Sequence, residues 1–266
     1  MMRLAVIGSP VAHSKSPLIQ AEFAARIGLN ARYDAIEVAA ETLAAFMERA
    51  AGEFAGFNVT MPLKEAIIPY LATVDGAAAV CRSVNTVVCR DGALHGYSTD
   101  GIGTLAALRG VFGADLSGKT ALILGTGGAA KAAAFALNDA GASVTALTRR
   151  DVEPPQLSGA VTQLWSALES VAAQSEIIIN ATPLGMHGNA EFEDFAWLGA
   201  ARDDAVVFDF VYNPCETALL SAAKTRKLRT IHGLSLLLQQ AAAAFELFTG
   251  RELPHDAIAL AERALG

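Results

Sequence analysis

Cysteine is scarce and unpatterned in this sequence. The 266 residues contain three cysteines, Cys81, Cys89 and Cys215, which are odd in number and lack C-x-x-C or metal-ligand spacing. These features argue against a disulfide framework and against a zinc site. We interpret the three side chains as reduced thiols, which indicates a cytoplasmic protein, and we predict no metal site.

Long apolar runs are also missing. No segment approaches the ~20 uninterrupted apolar residues that a membrane-spanning helix needs. The first apolar run turns polar at once in "MMRLAVIGSPVAHSK", which is unlike a secretory signal peptide. We therefore predict a soluble protein with no membrane partner.

Basic residues are fewer than acidic residues. Lysine and arginine number 20 against 27 acidic residues, the net charge is −7, and no basic run is longer than "RR" or "KTRK". This balance disfavours nucleic acid as a partner. The 53% hydrophobic and 18% charged content indicates a compact, enzyme-like protein. Its length suits two medium domains.

The front of the chain alternates between strand and helix patterns. Short apolar runs predict strands, and helical spacing of apolar residues predicts the segments between them. The dipeptide Asp91-Gly92, inside residues 83–100, predicts a hairpin. The other predicted elements are strands over 3–8, 31–38 and 54–62, helices from residue 17 and over 40–51, and a short helix over 65–72 that Pro69 breaks or starts. Together they predict a mostly parallel α/β unit with one antiparallel element.

The alternation restarts near residue 101 and predicts a second α/β domain. All-apolar strands and Ala-rich helices follow each other there, which is typical of a doubly wound parallel sheet. The predicted elements are strands over 121–125, 142–150, 176–182 and 205–212, and helices over 101–112 and 235–250, the last stopped by Gly250.

The segment "AHSKSP" (12–17) predicts a helix start. Ser16 is the expected N-cap, Pro17 the first helical residue, and Gly28 the end of the helix. Capping leaves Ser14 and Lys15 unexplained. A capped helix N-terminus is also a place where an anion can bind.

A glycine-rich turn follows the strand "ALILG". Gly125, Gly127 and Ala130 form a G-x-G-x-x-A pattern between a strand and a helix. The first glycine permits the turn, the second lets a pyrophosphate approach the backbone, and the small third residue lets the helix pack closely. An ordinary strand–helix loop is the alternative. The predicted dinucleotide-binding residues are Gly125, Thr126, Gly127, Gly128 and Ala129.

The end of the next strand indicates which dinucleotide binds. An NAD site usually carries an acidic residue there, whereas NADP needs cations for its 2′-phosphate. This strand ends in Thr148, Arg149 and Arg150, with no carboxylate before Asp151. NADP is therefore the predicted cofactor, with two solvated surface arginines as the alternative interpretation.

Eight segments in order resemble the motifs of the shikimate dehydrogenase family: "SPVAHSKSP", "FNVTMPLKEA", "SVNTVV", "GYSTDGIG", "GTGGAAKAA", "INATPLGM", "DFVYNP" and "HGLSLLLQQAAAAFELFTG". The resemblance covers residues 7–250. It implies a substrate domain over 1–101, completed by C-terminal helices in 236–266, and an NADP-binding Rossmann domain over 102–235. The implied reaction is the reversible reduction of 3-dehydroshikimate to shikimate by NADPH, in chorismate and aromatic amino acid biosynthesis.

The resemblance also implies roles for individual residues. Lys64 would be the general acid/base and Asp100 its partner, since hydride transfer at a carbinol carbon needs a group that takes and returns the hydroxyl proton. Without the resemblance, Lys64 would pass for a surface lysine and Asp100 for a cap residue. The implied contacts are Ser14 and Ser16 with the substrate carboxylate, Thr60, Asn85 and Gln240 with ring hydroxyls, Tyr212 with the substrate, and Phe210 and Gly233 with the nicotinamide.

Three positions depart from the family pattern. The phosphate clamp reads Thr148-Arg149-Arg150, with Glu153 where a further arginine is usual; Arg82-Ser83 replaces a small pair; and Asp75 lies one place early. Arg82 leaves open a changed substrate preference or a subunit contact. The other possibilities are a quinate or quinate/shikimate dehydrogenase, possibly NAD-using, a methylene-tetrahydrofolate-type dehydrogenase, and a non-enzymatic dinucleotide-sensing protein. A monomer and a homodimer are both compatible with the sequence.

Overall fold

The computed structural model describes residues 1–149 and 155–265. The chain divides into two compact units, one formed by Met1–Gly103 and Leu238–Gly266 and the other by Thr104–Leu237. The sequence places the corresponding boundaries at residues 101/102 and 235/236, and the functions predicted for the two parts remain predictions. No helix within the described residues is long and apolar enough to cross a membrane.

The first unit is built on a six-stranded sheet of order β2-β1-β3-β5-β6-β4. Only β5 runs against its neighbours, which confirms the predicted mostly parallel unit with one antiparallel element. Phe46 and Phe57 meet edge to face at 5.3 Å on one face of the sheet. The elements are β1 (Met2–Gly8), α1 (Ser16–Arg26), β2 (Ala31–Glu37), α2 (Leu43–Glu53), β3 (Gly56–Val59), β4 (Thr73–Val74), α3 (Gly76–Cys81), β5 (Thr86–Arg90) and β6 (Ala93–Tyr97).

The hairpin between β5 and β6 is confirmed. Asp91 and Gly92 form its turn with φ angles of 53° and 75°, and Arg90 pairs with Ala93 across it. Two consecutive left-handed residues match the right-handed twist of the two strands. Aspartate tolerates this conformation better than most side chains, and glycine adopts it without steric cost.

The second unit contains a fully parallel sheet of order β12-β11-β10-β7-β8-β9. Strand order reverses at β7, so the predicted doubly wound Rossmann-type fold is confirmed. The chain enters through α4 (Asp100–Phe112), which begins in the first unit. The other elements are β7 (Thr120–Leu124), α5 (Gly128–Asp139), β8 (Ser143–Thr148), β9 (Val161–Leu164), α6 (Leu168–Ala172), β10 (Ile177–Asn180), β11 (Val206–Asp209), α7 (Ala218–Thr225) and β12 (Arg229–Ile231).

The chain returns to the first unit through α8 (Gly233–Thr249), and α9 (Ala257–Ala264) follows. Gly250, with a φ of 66°, ends α8 as the sequence predicts. Phe245 is fully buried and meets Phe23 of α1 edge to face, with ring centroids 5.7 Å apart. The C-terminal part of α8 thereby belongs to the core of the first unit.

Two local predictions are wrong. Ser16 is the first helical residue of α1 and Lys15 is the N-cap, so Pro17 comes second. The N-cap Lys15 makes no side-chain cap bond, and the Ser14 hydroxyl, just before it, accepts the Ser16 backbone N–H at 3.2 Å. Gly28, with a φ of 65°, follows the helix end as predicted.

The predicted helix over 65–72 is a run of turns with one 3₁₀ turn, Ile68–Tyr70. Proline has no N–H to continue an α-helical ladder, and it disfavours the helical conformation of the preceding residue. From Ile68 onward the bonds are of the i to i+3 type, such as that from Ile68 N–H to the Glu65 carbonyl at 3.2 Å, so the helix stays short around Pro69.

Candidate active site

Lys64 and Asp100 form a close ion pair in the first unit. Lys64 Nζ lies 2.5 Å from Asp100 Oδ2, and the two side chains are 20% and 8% exposed. Lys64 lies in the turns after β3, where its carbonyl accepts the Val84 N–H at 2.9 Å. Asp100 is the first residue of α4. The structure therefore brings the two predicted catalytic side chains together.

Asn85 fixes the second oxygen of Asp100. Its Nδ2 donates to Asp100 Oδ1 at 2.8 Å and to Thr99 Oγ1 at 3.0 Å. Its Oδ1 accepts the Thr99 backbone N–H at 2.7 Å. Because the Asp100 carboxylate accepts at one end of the amide and the Thr99 backbone N–H donates at the other, the orientation of the Asn85 amide is determined.

Gln240 reaches the same cluster from α8. Its Oε1 accepts from Asn85 Nδ2 at 3.3 Å and from Thr99 Oγ1 at 3.4 Å. Residues widely separated in sequence therefore meet at one buried point of the first unit. Lys64, Asp100, Asn85 and Gln240 are the four predicted site residues that share this cluster.

Ser14 and Ser16 connect to the cluster through residues that the sequence analysis does not assign. Ser16 hydrogen-bonds the Tyr33 phenol, and Tyr33 donates to Asn58 Oδ1 at 2.7 Å. Asn58 Nδ2 donates to the Asn85 carbonyl at 3.1 Å. Burial raises the pKa of Tyr33 well above its ordinary value, and the smaller effect of Ser16 opposes it. At neutral pH the phenol is therefore a donor in a continuous polar network.

Thr60 and Tyr212 are the two other residues predicted to contact the substrate. The Thr60 backbone N–H donates to the Ile7 carbonyl at 2.9 Å, beside the ends of β1 and β3. None of the described residues hydrogen-bonds its hydroxyl. Tyr212 belongs to the second unit, where burial raises the pKa of its phenol. The roles predicted for Thr60 and Tyr212 stay predictions.

The glycine turn joins β7 to α5 in the second unit. Gly125 has a φ of 108°, and a Cβ there would lie 3.0 Å from Thr182 Cγ2. Gly127 is the N-cap of α5, makes no side-chain cap bond, and has no atom within 4 Å of where its Cβ would lie. Thr126 precedes it, and Gly128 and Ala129 open the helix. The turn therefore presents uncapped helix N–H groups to open space, which suits a phosphate.

The end of β8 carries the predicted phosphate clamp. Thr148 is buried, whereas Arg149 is exposed with its guanidinium carbon 5.8 Å from the centre of the Trp165 ring. Arg150 lies outside the described residues. Cationic donors beside the glycine turn are the chemistry that the 2′-phosphate of NADP requires. The residues present therefore fit this dinucleotide.

Phe210 and Gly233 follow the ends of β11 and β12. Phe210 packs edge to face on Phe208 at 4.9 Å. A Cβ on Gly233 would collide with the carbonyl oxygens of Val211 and Phe210, so the backbone itself requires glycine here. The structure gives both residues packing roles, and their predicted contact with a nicotinamide remains a prediction.

A buried carboxylate, which sequence reasoning missed, organises the same edge of the second sheet. Asp209 accepts from Thr217 Oγ1 at 2.7 Å, Asn180 Nδ2 at 2.9 Å and the Val211 N–H at 3.0 Å. Burial raises the pKa of Asp209, and these hydrogen bonds partly oppose the effect. Asn180 lies at the end of β10, so Asp209 ties neighbouring strand ends together.

The structure shows the local contacts of two of the positions that depart from the family pattern, Arg82 and Asp75. Arg82 is exposed and its Nε lies 2.9 Å from Glu65 Oε1, outside the Lys64 cluster. Asp75 is the N-cap of α3 and accepts the Ala78 N–H at 2.6 Å. Glu153 lies outside the described residues. All three cysteines are free thiols, and no group of metal-ligating side chains occurs within residues 1–149 and 155–265.

A mixed α/β unit with a buried acid–base pair and a Rossmann unit with an open glycine turn define a two-domain NAD(P)-binding dehydrogenase fold. Family models agree with this division. The model of the "Shikimate dehydrogenase substrate binding domain" matches residues 6–87. The model of the "Shikimate 5'-dehydrogenase C-terminal domain" matches residues 233–259. Residues 101–207 match the "D-isomer specific 2-hydroxyacid dehydrogenase, NAD binding domain".

Known proteins resemble the chain over its whole length. The shikimate dehydrogenase (NADP(+)) of Moorella thermoacetica is 43% identical, over 98% of this chain and 92% of its own. The crystal structure of shikimate 5-dehydrogenase from Thermus thermophilus in complex with NADP(H) and shikimate is 35% identical, with a TM-score of 0.88 over 99% and 100% of the two chains. The chain belongs to the shikimate dehydrogenase family.

One further relative has a different substrate in its name. The ligand-free 5-ketofructose reductase of Gluconobacter sp. strain CHM43 is 29% identical, with a TM-score of 0.83 over 100% of this chain and 99% of its own. The same architecture therefore occurs in reductases of more than one polar ketone, and the choice of substrate depends on individual side chains.

Proposed function

We propose that this protein catalyses the reversible, NADP-dependent reduction of 3-dehydroshikimate to shikimate. The observation that carries the proposal is the Lys64–Asp100 pair, held by Asn85 and Gln240. A dinucleotide-sensing protein has no need of a buried acid–base pair. Membership of the family, whose curated relatives are named shikimate dehydrogenase (NADP(+)), supports the substrate and the cofactor.

On the substrate side, hydroxyl donors would hold the carboxylate of the hydroaromatic acid. Ser14 and Ser16 lie at the start of α1, where hydroxyls and helix N–H groups favour a small planar anion. Thr60, Asn85, Gln240 and Tyr212 would hold the ring hydroxyls. Within the first unit, the Tyr33–Asn58–Asn85 hydrogen bonds keep the serines and the catalytic pair in one polar network.

On the chemical side, Lys64 would move one proton at the oxygen of the reacting carbon. In the direction of reduction, Lys64 Nζ gives its proton to the carbonyl oxygen, which becomes the hydroxyl of shikimate. In the reverse direction, the neutral amine takes that proton back. Asp100 holds Nζ in place with one oxygen while Asn85 restrains the other. NADPH, when bound, supplies the hydride equivalent.

On the cofactor side, the turn residues Gly125 to Ala129 would hold the pyrophosphate, with Thr148, Arg149 and Arg150 around the 2′-phosphate. Phe210 and Gly233 would line the nicotinamide pocket. The open space over Gly127 and the uncapped start of α5 support this arrangement. We also propose a cytoplasmic, reducing location. The protein would be a monomer or a homodimer, and light scattering of the purified protein tests this oligomeric state.

A spectrophotometric assay at 340 nm tests the proposed function. Purified protein is mixed with shikimate or quinate, each with NADP or NAD. In a further reaction it is mixed with 5-ketofructose and NADPH, because a 5-ketofructose reductase has the same fold. We expect turnover with shikimate and NADP to exceed every other pair. A quinate preference would assign the alternative dehydrogenase, and no oxidation or reduction with any pair would contradict an enzymatic role.

A further inference from the structure

Arg149 makes little use of its hydrogen-bonding capacity. Its guanidinium has five N–H donors in a planar fork, and none of the described residues accepts a hydrogen bond from it or forms an ion pair with it. Within residues 1–149 and 155–265, its side chain contacts the Trp165 ring, at 5.8 Å from guanidinium carbon to ring centre. The ring restrains the side chain, and the guanidinium keeps the donor geometry that matches an oxyanion.

The contact follows from the register of two strands. Thr148, the last residue of β8, pairs with Leu164, the last residue of β9. Arg149 and Trp165 are the next residues of the two strands, so they emerge side by side at the same edge of the sheet. Trp165 is itself supported by Phe192, with ring centroids 6.4 Å apart. A half-buried ring with its own support is a suitable platform for a cation.

The same edge carries the glycine turn. The Gly125 N–H donates to the Leu147 carbonyl at 2.9 Å, two residues before Arg149. In Rossmann folds the pyrophosphate lies at the first turn and the adenosine ribose beside the end of the second strand. A dinucleotide bound at Gly125–Ala129 would therefore bring its 2′ position towards Arg149.

We propose that Trp165 is a positioning residue that orients Arg149 towards the 2′-phosphate and so strengthens the preference for NADP over NAD. This inference rests on the proposed function for its cofactor. Stacking restricts the flexible arginine before the phosphate arrives, so less conformational freedom is lost on binding.

Calorimetric titration of the purified protein with 2′,5′-ADP and 5′-AMP tests the inference, because the two nucleotides differ only by the 2′-phosphate. We expect Trp165→Leu to weaken 2′,5′-ADP about two- to fivefold, as the loss of an exposed cation–π contact predicts. The affinity for 5′-AMP should stay unchanged. Trp165→Phe keeps an aromatic face and should retain most of the affinity for 2′,5′-ADP. If Trp165→Leu does not fold, Trp165→Met takes its place in the experiment.

A double-mutant cycle separates positioning from a general effect. In an Arg149→Met background, Trp165→Leu should no longer change the affinity for 2′,5′-ADP, since the residue it acts through is gone. Three results would overturn the inference: an unchanged ratio of the two affinities, an equal loss for both nucleotides, which would mean that Trp165 stacks on adenine, or the same loss in the Arg149→Met background. Failure of the proposed function would show separately, as absent shikimate oxidation by the unaltered protein with either nicotinamide cofactor.

Discussion

Each oxygen of the Asp100 carboxylate has its own partner. Oδ2 meets the Lys64 ammonium and Oδ1 meets the Asn85 amide. Hydrogen bonds to an ionised group are short and directional, and partial burial strengthens them further. A lysine held in this way keeps one rotamer, so its Nζ occupies a defined position at which a proton can be given or taken. Proton transfer depends on such placement as much as on acidity.

Replacement of Lys64 by methionine tests this placement. Met keeps the length of the side chain but removes the proton donor, so we expect kcat to fall by about 10²–10⁴, the usual contribution of a general acid/base. The KM for shikimate should change little, because Ser14, Ser16 and Gln240 are untouched. Steady-state kinetics with shikimate and NADP measures both constants.

Lys119→Met is the matched control for this variant. Lys119 also forms a partly buried ion pair, 2.7 Å from Glu176, but it lies in the second unit. The kcat of Lys119→Met should stay within about twofold of that of the unaltered protein, since Lys119 lies before the start of β7, at the opposite end of the strand from the glycine turn. Near-normal turnover of Lys64→Met would remove Lys64 from the mechanism.

Predictability at the residue scale depends on whether a side chain belongs to a motif. Lys64, Asp100, Asn85 and Gln240 could be found because the segments that contain them resemble one family, while in isolation each fits an ordinary surface or cap residue. Tyr33 and Trp165 carry no such signal. Their contacts arise from strand register and from packing between segments far apart in sequence, and no local pattern contains that information.

At the scale of elements, two glycines show opposite reasons for their presence. Gly233 starts α8 where a Cβ would strike the Val211 and Phe210 carbonyls, so the fold requires it. Gly127 has an ordinary φ of −77° and open space around its missing side chain. Nothing in the described part of the fold forbids a larger residue at 127. The glycine there is therefore explained by a ligand that approaches the backbone.

Alanine substitutions at these two positions should therefore differ in their effect on stability. Gly127→Ala should cost about 1 kcal/mol or less in stability yet weaken NADP binding, because the new methyl group occupies the space for the pyrophosphate. Gly233→Ala should destabilise the protein by about 1–3 kcal/mol through overpacking. Urea unfolding and calorimetric NADP titration measure the two effects, and normal NADP affinity in Gly127→Ala would contradict a phosphate site at the turn.

A second element-scale prediction concerns the strand starts of the Rossmann sheet. Lys119 precedes β7 and Glu176 precedes β10, and the hydrogen bond from Lys119 is the main reason that the pKa of Glu176 is lowered. A lowered pKa stabilises the fold above the ordinary value of 4.5, and the contribution is lost as pH falls through the folded-state value. Glu176→Gln should thus cost about 0.5–1 kcal/mol at pH 7.

The pH dependence of that loss is the diagnostic feature. Urea unfolding of the unaltered protein and of Glu176→Gln should differ by a constant amount above about pH 5 and converge below it, as the carboxyl group becomes protonated in both the folded and the unfolded state. A difference that persists at the lowest pH where both proteins fold would show that the glutamine disturbs packing instead of removing a charge.

Predictability at the element scale follows length and pattern. The long apolar strands and helices are found from periodicity, and the Asp91-Gly92 hairpin from its turn residues. The shortest strands are among the elements that sequence analysis does not predict, since β4 has two residues and β12 has three. A strand of that length contains barely one alternation, so its pairing partner decides its conformation.

At the scale of the whole molecule, the first unit is assembled from both ends of the chain. Alternation of strands and helices is enough to predict two α/β domains, whereas the return of the C-terminal segment follows only from the resemblance. In the structure, Gln20 Nε2 of α1 donates to the Ala241 carbonyl of α8 at 3.0 Å. A Cβ on Gly56 of β3 would press on the Phe248 ring. The C-terminal helix is thus a core element of the first unit.

Phe245→Ala tests that conclusion, with Phe208→Ala as its counterpart in the second unit. Each phenylalanine is fully buried in its own core, against Phe23 and Phe210 respectively. Each truncation should cost about 3–5 kcal/mol through lost burial and the cavity it leaves. Hydrogen exchange read peptide by peptide should then show lost protection in β1, β2 and α1 for Phe245→Ala, and in β7, β10 and β11 for Phe208→Ala. If either variant instead lost protection evenly over the whole chain, the two units would open as one cooperative body, and the proton-transfer cluster could not be destabilised separately from the nucleotide fold.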